Sequence, residues 1–441
     1  MNEPKKNWIK LDIKTPGFAA KKLGDFLKTR IKGQDSQITD VADAIEIKDA
    51  AFKADDKPIY TVLCSGPSGV GKTLLAETLS EYFFGNRHSF TRIACEAYSE
   101  PHSISKLIGA PPGYVGFWDV NKDGKTTLPI LAQESIDKYA INAQDQNKKR
   151  LVMLKRLHDA LEKTEDMIFG ISERRFLDDP REKNPGEDEQ NEKILKSFLE
   201  TRIKYKLKIS EITQRLPSTT IDSPLSIVLW DEIEKASSAL HNIALNIIDK
   251  AVLTLANGNV THFNNSIHIF TSNANSRVIA DLISKKPKMG FRSLGDNTDK
   301  RVNIDAQIYE KSMDALQKNF SPEFLARFDR ISVFRPLSEA ILSEIFDIEL
   351  SMFVESSLKP LSVILEMDKD VKQFILSEAT DRPQNGARLL KSKINKYLKK
   401  QLGRLKNRGE LQPGTIIHLV LGTDGRTVEF YKENVSPEMP S

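Results

Sequence analysis

The chain has 441 residues, 65 basic against 61 acidic side chains, a formal net charge of +4 and an apolar fraction of 39%. That length exceeds one small domain and predicts two or three units with a real core; the near-balanced charge argues against a nucleic-acid coat or a polybasic membrane anchor. Two cysteines, Cys64 and Cys95, give neither a metal pattern nor a disulfide framework, and the opening Met-Asn-Glu-Pro lacks a signal-peptide stretch, so a soluble, reducing, cytoplasmic setting without membrane or nucleic-acid partners is expected.

Residues 1–17 carry two prolines and little periodicity, which predicts an irregular tail. Residues 18–52 predict two helices broken around Lys32-Gly33-Gln34. A strand over 59–65 follows, with Cys64 as a small buried hydrophobe. Next stands Gly66-Pro67-Ser68-Gly69-Val70-Gly71-Lys72-Thr73, a complete phosphate-binding loop between that strand and a helix over 73–84 beginning Thr73-Leu74. Closely spaced glycines let the backbone curl and point N–H groups at phosphate oxygens. Lys72 is placed to reach the β and γ phosphates, the Thr73 hydroxyl to hold Mg2+, and the helix start adds its positive end. This pattern predicts a bound nucleoside triphosphate.

A short strand over 89–95 and a short helix over 103–108 follow. Residues 111–117, Pro-Pro-Gly-Tyr-Val-Gly-Phe, predict a loop carrying aromatics. Residues 131–217 are rich in charge, with Leu151, Leu154, Leu157 and Leu161 at helical spacing and Ile194, Phe198, Ile203 and Leu207 more loosely so. They predict an inserted helical hairpin whose apolar rows either pack internally or face a partner. The apolar run 225–230 predicts a strand buried on both faces, closed by Asp231-Glu232. A helix over 236–250, a strand over 266–271 reaching Asn273, helices near 309–318 and 322–327 and a strand over 331–334 complete a unit ending near 335. From 336 the texture changes. Helices over 338–356, 368–378 and 386–405 and an alternating strand over 415–421 with a hairpin through 423–426 predict a second domain over 336–433 and a frayed tail over 434–441.

Nucleotide hydrolysis needs an acid at the end of a strand beside the phosphate-loop strand, to orient Mg2+ and its waters, and a second carboxylate to polarise the attacking water. Asp231 fits the first role and Glu232 the second. Asn273 is either a sensor of the γ phosphate or a helix cap.

With these motifs in place, the chain resembles the Clp chaperone and unfoldase branch of the AAA+ ATPases, in particular the second ATPase module of ClpA, ClpB and ClpC. The stretches 66–73, 103–117, 229–236, 270–273, 320–329 and 386–389 carry the match, and Gly109-Ala110-Pro111-Pro112-Gly113-Tyr114-Val115-Gly116 is its most specific part. The resemblance implies an α/β fold. Its large part is a P-loop AAA+ domain over 18–335 with a parallel sheet flanked by helices, and a smaller, mainly helical lid domain with a short sheet follows. It also implies ATP and Mg2+ as cofactors and assembly into homo-hexameric rings. Ile31 would cradle the adenine. Arg327 would reach the γ phosphate of the neighbouring subunit, and Arg388 would sense the nucleotide in cis. Tyr114 with Val115 would line a central pore and grip a polypeptide. Without the resemblance, Arg327 reads as a surface ion pair and Arg388 as a helix-surface charge; the alternative for Tyr114 is core packing, for which a Tyr near glycines in a proline-started loop is badly placed.

Against the family pattern, the amino-terminal adaptor domain, the first ATPase module and the ClpB middle domain would be missing, and Arg330 stands where the family is usually acidic. The insertion at 131–217 suits adaptor or substrate docking, subunit packing or neutral decoration. Met289-Gly290-Phe291 falls where ClpA- and ClpC-like proteins dock into a ClpP-type peptidase, although Phe291 fits a core equally well. The leading expectation is an ATP-dependent protein unfoldase that threads polypeptide through a ring pore and is not itself a peptidase. The alternative is a nucleotide-gated assembly switch or scaffold ATPase working through its inserted hairpin.

Overall fold

The computed structural model describes residues 12, 15–50, 52, 56–110, 128–177, 185–214, 225–284, 298–380 and 386–433. α1 (Phe18–Arg30) buries Ala20, Leu23 and Leu27, and α2 (Asp35–Asp49) buries Ile38, Val41, Ala42 and Ile45, each set one face of a helical period. β1 (Tyr60–Ser65), α3 (Lys72–Phe84), β2 (Thr91–Ala94) and the short α4 (Ser105–Ile108) follow, and then the long pair α5 (Gln133–Leu177) and α6 (Pro185–Gln214). The chain continues through β3 (Ser226–Asp231), α7 (Ser238–Lys250), β4 (Val252–Thr254), β5 (Val260–His262), β6 (Ser266–Ser272), α8 (Ser276–Ser284), α9 (Thr298–Gln317), α10 (Pro322–Leu325) and β7 (Arg330–Val333). The carboxyl-terminal part holds α11 (Glu339–Phe353), β8 (Ile364–Met367), α12 (Lys369–Thr380), α13 (Gly386–Ile394), α14 (Lys400–Asn407), β9 (Ile416–Leu421) and β10 (Val428–Glu433). Wider π turns at 395–399 join α13 to α14, so the helix expected over 386–405 is one continuous helical stretch. β8 had no counterpart among the sequence expectations. Its residues alternate exposed and half-buried, which is a weak signal in a four-residue strand.

The main sheet has the order β2-β3-β6-β1-β7, and every pair in it is parallel. This corrects one expectation. The strand that ends in Asp231 does not lie beside the phosphate-loop strand, because β6 runs between them. Residues alternate between the two faces of the sheet. Val62, Cys64, Ile227 and Leu229 join a core with α1, α2 and α3 that continues into the carboxyl-terminal helices, while Leu63, Val228, Trp230 and Phe270 face a second core with α7. Cys64 and Cys95 are free and fully buried, as a small hydrophobe would be. In the second sheet β9 pairs antiparallel with β10 and parallel with β8. Arg330, the unusual base at the start of β7, is balanced by Asp40 of α2 at 3.1 Å.

α5 and α6 form the expected helical hairpin, but its lower part is not a projection. Leu131, Ile136, Ala140 and Ala143 are buried in the two cores. Thr261 Oγ1 donates to Leu131 O at 2.8 Å and His262 N to Gln133 Oε1 at 2.8 Å, tying the root of α5 to β5. Leu131 N donates to Leu107 O at 3.0 Å, tying the same root to α4. Further out, Leu157 is buried and Leu154 and Leu161 are half-buried, whereas Leu151 is exposed. On α6 only Phe198 of the expected row turns inward, joined by Leu195, Tyr205 and Ile209; Ile194, Ile203 and Leu207 are exposed. The expected row steps by four, five and four residues and drifts around the helix, so it cannot stay on one seam.

His268, in the centre of β6, is completely buried. Trp230 Nε1, which only donates, gives its proton to His268 Nδ1 at 3.1 Å. His268 Nε2 therefore carries the ring proton and donates to Ser266 Oγ at 2.7 Å. Burial pushes the imidazole pKa down to about 3. The unfolded chain takes up a proton near pH 6.5 and the folded chain does not, so this stability is complete above pH 6.5 and is lost as pH falls towards 3. The loss reaches about 2 kcal/mol by pH 5. Thermal unfolding followed from pH 7 to 5 should show a falling midpoint, and His268→Gln, which cannot charge, should flatten most of that slope. Equal slopes in the two proteins would place the acid sensitivity elsewhere.

Candidate active site

The site grows from the carboxyl edge of three neighbouring strands. All six residues of β1 are buried, and its ladder with β6 pairs Ser65 with Ser272 and continues as Gly66 N donating to Ser272 O at 3.2 Å. A side chain at Gly66 would bring its Cβ within 2.6 Å of Phe334 O, so the loop leaves the sheet where only glycine fits. The chain then enters α3, whose first turn holds no acidic residue, leaving its positive end uncompensated. Lys72 is 7% exposed. Its Nζ donates to Gly66 O at 2.5 Å, Pro67 O at 2.7 Å and Asn273 Oδ1 at 2.9 Å. Burial lowers its pKa to about 8, with the carboxylates Glu234, Asp231 and Glu232 among the groups that oppose the drop.

Asn273 follows β6 directly. Its Nδ2 donates to Glu232 Oε1 at 3.0 Å, so one amide bridges Lys72 and Glu232. The side chain of Asn273 is thereby committed to the site. Asp231 ends β3, accepting from Thr271 Oγ1 at 2.7 Å and from Arg92 Nη2 at 2.5 Å. Glu232 turns the chain with φ 59°, a left-handed conformation costing on the order of 1 kcal/mol for a non-glycine residue. Its N–H donates to Thr271 Oγ1 at 3.0 Å, and its Oε2 lies 2.6 Å from Lys235 Nζ, which also pairs with Glu96 at 3.1 Å. Sequence reasoning missed Arg92, Thr271 and Lys235. Arg92 sits on the exposed side of an alternating strand and Thr271 inside an apolar run, so neither carried a motif signal.

These groups open on a cavity of about 670 Å3. Ile31, Ser68, Gly69, Val70, Gly71, Lys72, Thr73, Leu74, Asp231, Glu232, Asn273 and Arg388 all line it. Gly66 and Pro67 do not line it and contribute carbonyls to Lys72. Seven basic and five acidic side chains surround the cavity, a positive bias that suits a polyphosphate. α13 closes one wall, with Ala387 N donating to Gly69 O at 3.0 Å. Gly386 has φ 49°, and a Cβ there would lie 2.6 Å from Gly69 O, so this helix start meets the phosphate loop backbone to backbone. Lys391 is paired with Glu349 at 2.7 Å, whereas Arg388 makes no ion pair among the described residues.

Arg327 is not among the residues lining this cavity. It pairs with Asp249 of α7 at 2.6 Å, on a segment anchored by the packed rings of Phe320, Phe324, Phe328 and Phe270. Asp329 Oδ2 accepts from Thr61 N and Oγ1, each at 2.8 Å, fastening that segment to β1. Tyr114, Val115 and Met289-Gly290-Phe291 lie outside the described residues. Among the described residues no helix is long and apolar enough to cross a membrane.

The family model for the AAA domain (Cdc48 subfamily) matches residues 57–146 and 182–331, and that for the C-terminal, D2-small domain of ClpB protein matches residues 337–419. The chain is 29% identical over 408 residues to the chaperone protein ClpB of Meiothermus ruber, covering 92% of this chain and 35% of that protein. It is also 29% identical over 407 residues to ClpB of Clostridium perfringens, covering 92% and 34%. A ClpA homolog of Trieres chinensis, an ATP-dependent Clp protease ATP-binding subunit, is 27% identical over 431 residues, covering 95% and 38%. The chain thus spans about a third of the length of these curated relatives. Its fold matches a closed-state cryo-EM reconstruction of Hsp104 with ATPγS and FITC casein at a TM-score of 0.58 and 21% identity, over 93% of this chain and 51% of that one. With more than half of its residues matched by the AAA model and its carboxyl-terminal part by the D2-small model, the chain belongs to the AAA domain (Cdc48 subfamily) family, in the Clp branch of the AAA+ proteins, and corresponds to a ClpB-like second ATPase module.

Proposed function

We propose that this chain binds and hydrolyses ATP and uses the free energy to unfold or remodel protein substrates by threading them through the pore of a homo-hexameric ring. The observation that carries the reading is the hydrogen-bonded chain from Lys72 through Asn273 to Glu232, set beside Asp231 on one positively biased cavity. The Thr73 hydroxyl and the Asp231 carboxylate are hard oxygen donors lining that cavity and suit Mg2+, which keeps most of its coordination for phosphates and water. Mg2+ bound there would neutralise the charge that develops between the β and γ phosphates.

The chain's own residues divide the work. The loop from Gly66 to Thr73 and the start of α3 hold the phosphates, with Lys72 supplying the positive charge. Ile31 and Leu74 supply apolar wall for the base. Glu232 polarises the attacking water, and Asn273 fixes the carboxylate relative to Lys72. Arg388 reads the nucleotide from the α13 side. Arg327, which lies away from its own cavity, acts on the γ phosphate of the next subunit and so couples turnover to assembly. Tyr114 and Val115 grip the substrate. The Hsp104 reconstruction with FITC casein supports protein as the substrate class. Met289-Gly290-Phe291 offers a dock for a separate ClpP-type peptidase, and the inserted hairpin a dock for an adaptor.

Three measurements test this reading. Glu232→Gln should keep ATP binding and lower turnover by at least about 100-fold; turnover near the wild-type rate would remove Glu232 as the base. Phosphate binding favours charged Lys72, whose pKa burial lowers to about 8. ATP affinity should therefore weaken above pH 8, by up to about tenfold per pH unit, with proton uptake on binding. A constant affinity from pH 7.5 to 9.5 would contradict the assignment. Tyr114→Ala should leave ATP turnover intact and stop processing of a folded protein, and unchanged processing would favour a nucleotide-gated scaffold that does not thread.

A further inference from the structure

α6 carries two apolar rows, and α5 covers only one of them. Leu195, Phe198, Tyr205 and Ile209 are half-buried along the seam, where Lys206 pairs with Glu165 of α5 at 3.1 Å. On the far side Leu199, Ile203 and Leu207 stand at i, i+4 and i+8 and are 38%, 56% and 66% exposed. At about 100° per residue the three sweep roughly 80° of the helix surface, centred about a third of a turn away from the seam, with Leu199 nearest it and Leu207 farthest. Single exposed leucines are ordinary, but an aligned row on a helix already packed on its other side is not. The flanks of the row are basic. Lys196, Lys204 and Lys208 are exposed beside it, and between residues 193 and 208 six basic side chains stand against one acidic residue, Glu200.

We propose that this outer row of α6 is a docking seam for an amphipathic helix of a protein partner whose apolar row is flanked by Asp and Glu. Charge selects the occupant. A second copy of the same seam would set lysines against lysines, which opposes pairing. A membrane-surface helix buries a broad apolar face, with Trp or Phe in it, whereas this row is narrow, has no aromatic and is bordered by charge. The location adds a consequence. α6 packs on α5, whose root is bonded to β5 and to α4, so a partner on α6 is joined to the body of the fold through α5. The seam stands apart from the proposed ATPase activity, and only the partner's use as client or adaptor rests on it.

Fluorescence anisotropy with the full chain and two synthetic helical peptides tests the seam. Both peptides run about three heptads with the same leucine row, one with Glu flanks and one with Lys flanks. The Glu-flanked peptide should bind at least about tenfold more tightly. Leu199→Ser, Ile203→Ser and Leu207→Ser together should weaken it by about tenfold or more. Lys196→Glu, Lys204→Glu and Lys208→Glu together should invert the preference in favour of the Lys-flanked peptide. Circular dichroism and ATP binding, which these exposed positions do not touch, check that each variant is folded. Equal or absent binding of the two peptides, or binding indifferent to both sets of substitutions, overturns the proposal. So does sedimentation with phosphatidylserine-rich vesicles that depends on the same leucines, or self-association that they control. Peptide binding without any ATP turnover would sink the proposed function and leave the seam standing.

Discussion

A single amide, that of Asn273, stands between the lysine of the phosphate loop and the glutamate at the end of β3, and the site is assembled around it. It can stand there only because β6 runs between β1 and β3 with all three strands parallel and their carboxyl ends level. Ser65 pairs with Ser272 on one side, and Trp230 with Phe270 on the other. A slip of one residue in either ladder would turn the tip residues to the opposite face and separate Lys72 from Glu232. The buried apolar run of each strand guards against that slip, because alternate residues feed two different cores and a shifted register would mismatch both.

Several costs are concentrated at this edge. Glu232 sits in a left-handed conformation, and Lys72 is held in a buried place that weakens its hold on its proton. Both are stabilised by hydrogen bonds: the Glu232 N–H donates to Thr271 Oγ1 of β6, and Lys72 donates to two carbonyls of its own loop. Around the site the charges are paired with one another: Asp231 with Arg92, Glu232 with Lys235.

The hairpin obeys different physics. Its root is continuous with the core, and its outer part is stabilised by a seam between two helices with charged surroundings. The family match skips residues 147–181, which include most of α5, and resumes at 182, so it takes in α6. At about 1.5 Å per residue, the 45 residues of α5 make a rod roughly 67 Å long, long enough to present a surface well away from the nucleotide.

Much of this was legible in the chain itself. Gly66 to Thr73 needs no partner to be read, because the loop is local: glycines, lysine and threonine act within eight residues. The buried strands, the helical hairpin and the change of texture near 336 were also carried by local periodicity. Other features were not. The intervening place of β6, the pairing of Arg92 with Asp231, the balance of Arg330 by Asp40 and the inward row of α6 all join residues distant in sequence, and no local pattern encodes the partner. Sequence alone determined which chemical groups are present and which elements carry them. Tertiary structure alone decided which groups meet, because strand order and register are set by the fit of whole faces, and only those faces bring Lys72, Asn273 and Glu232 within hydrogen-bonding distance.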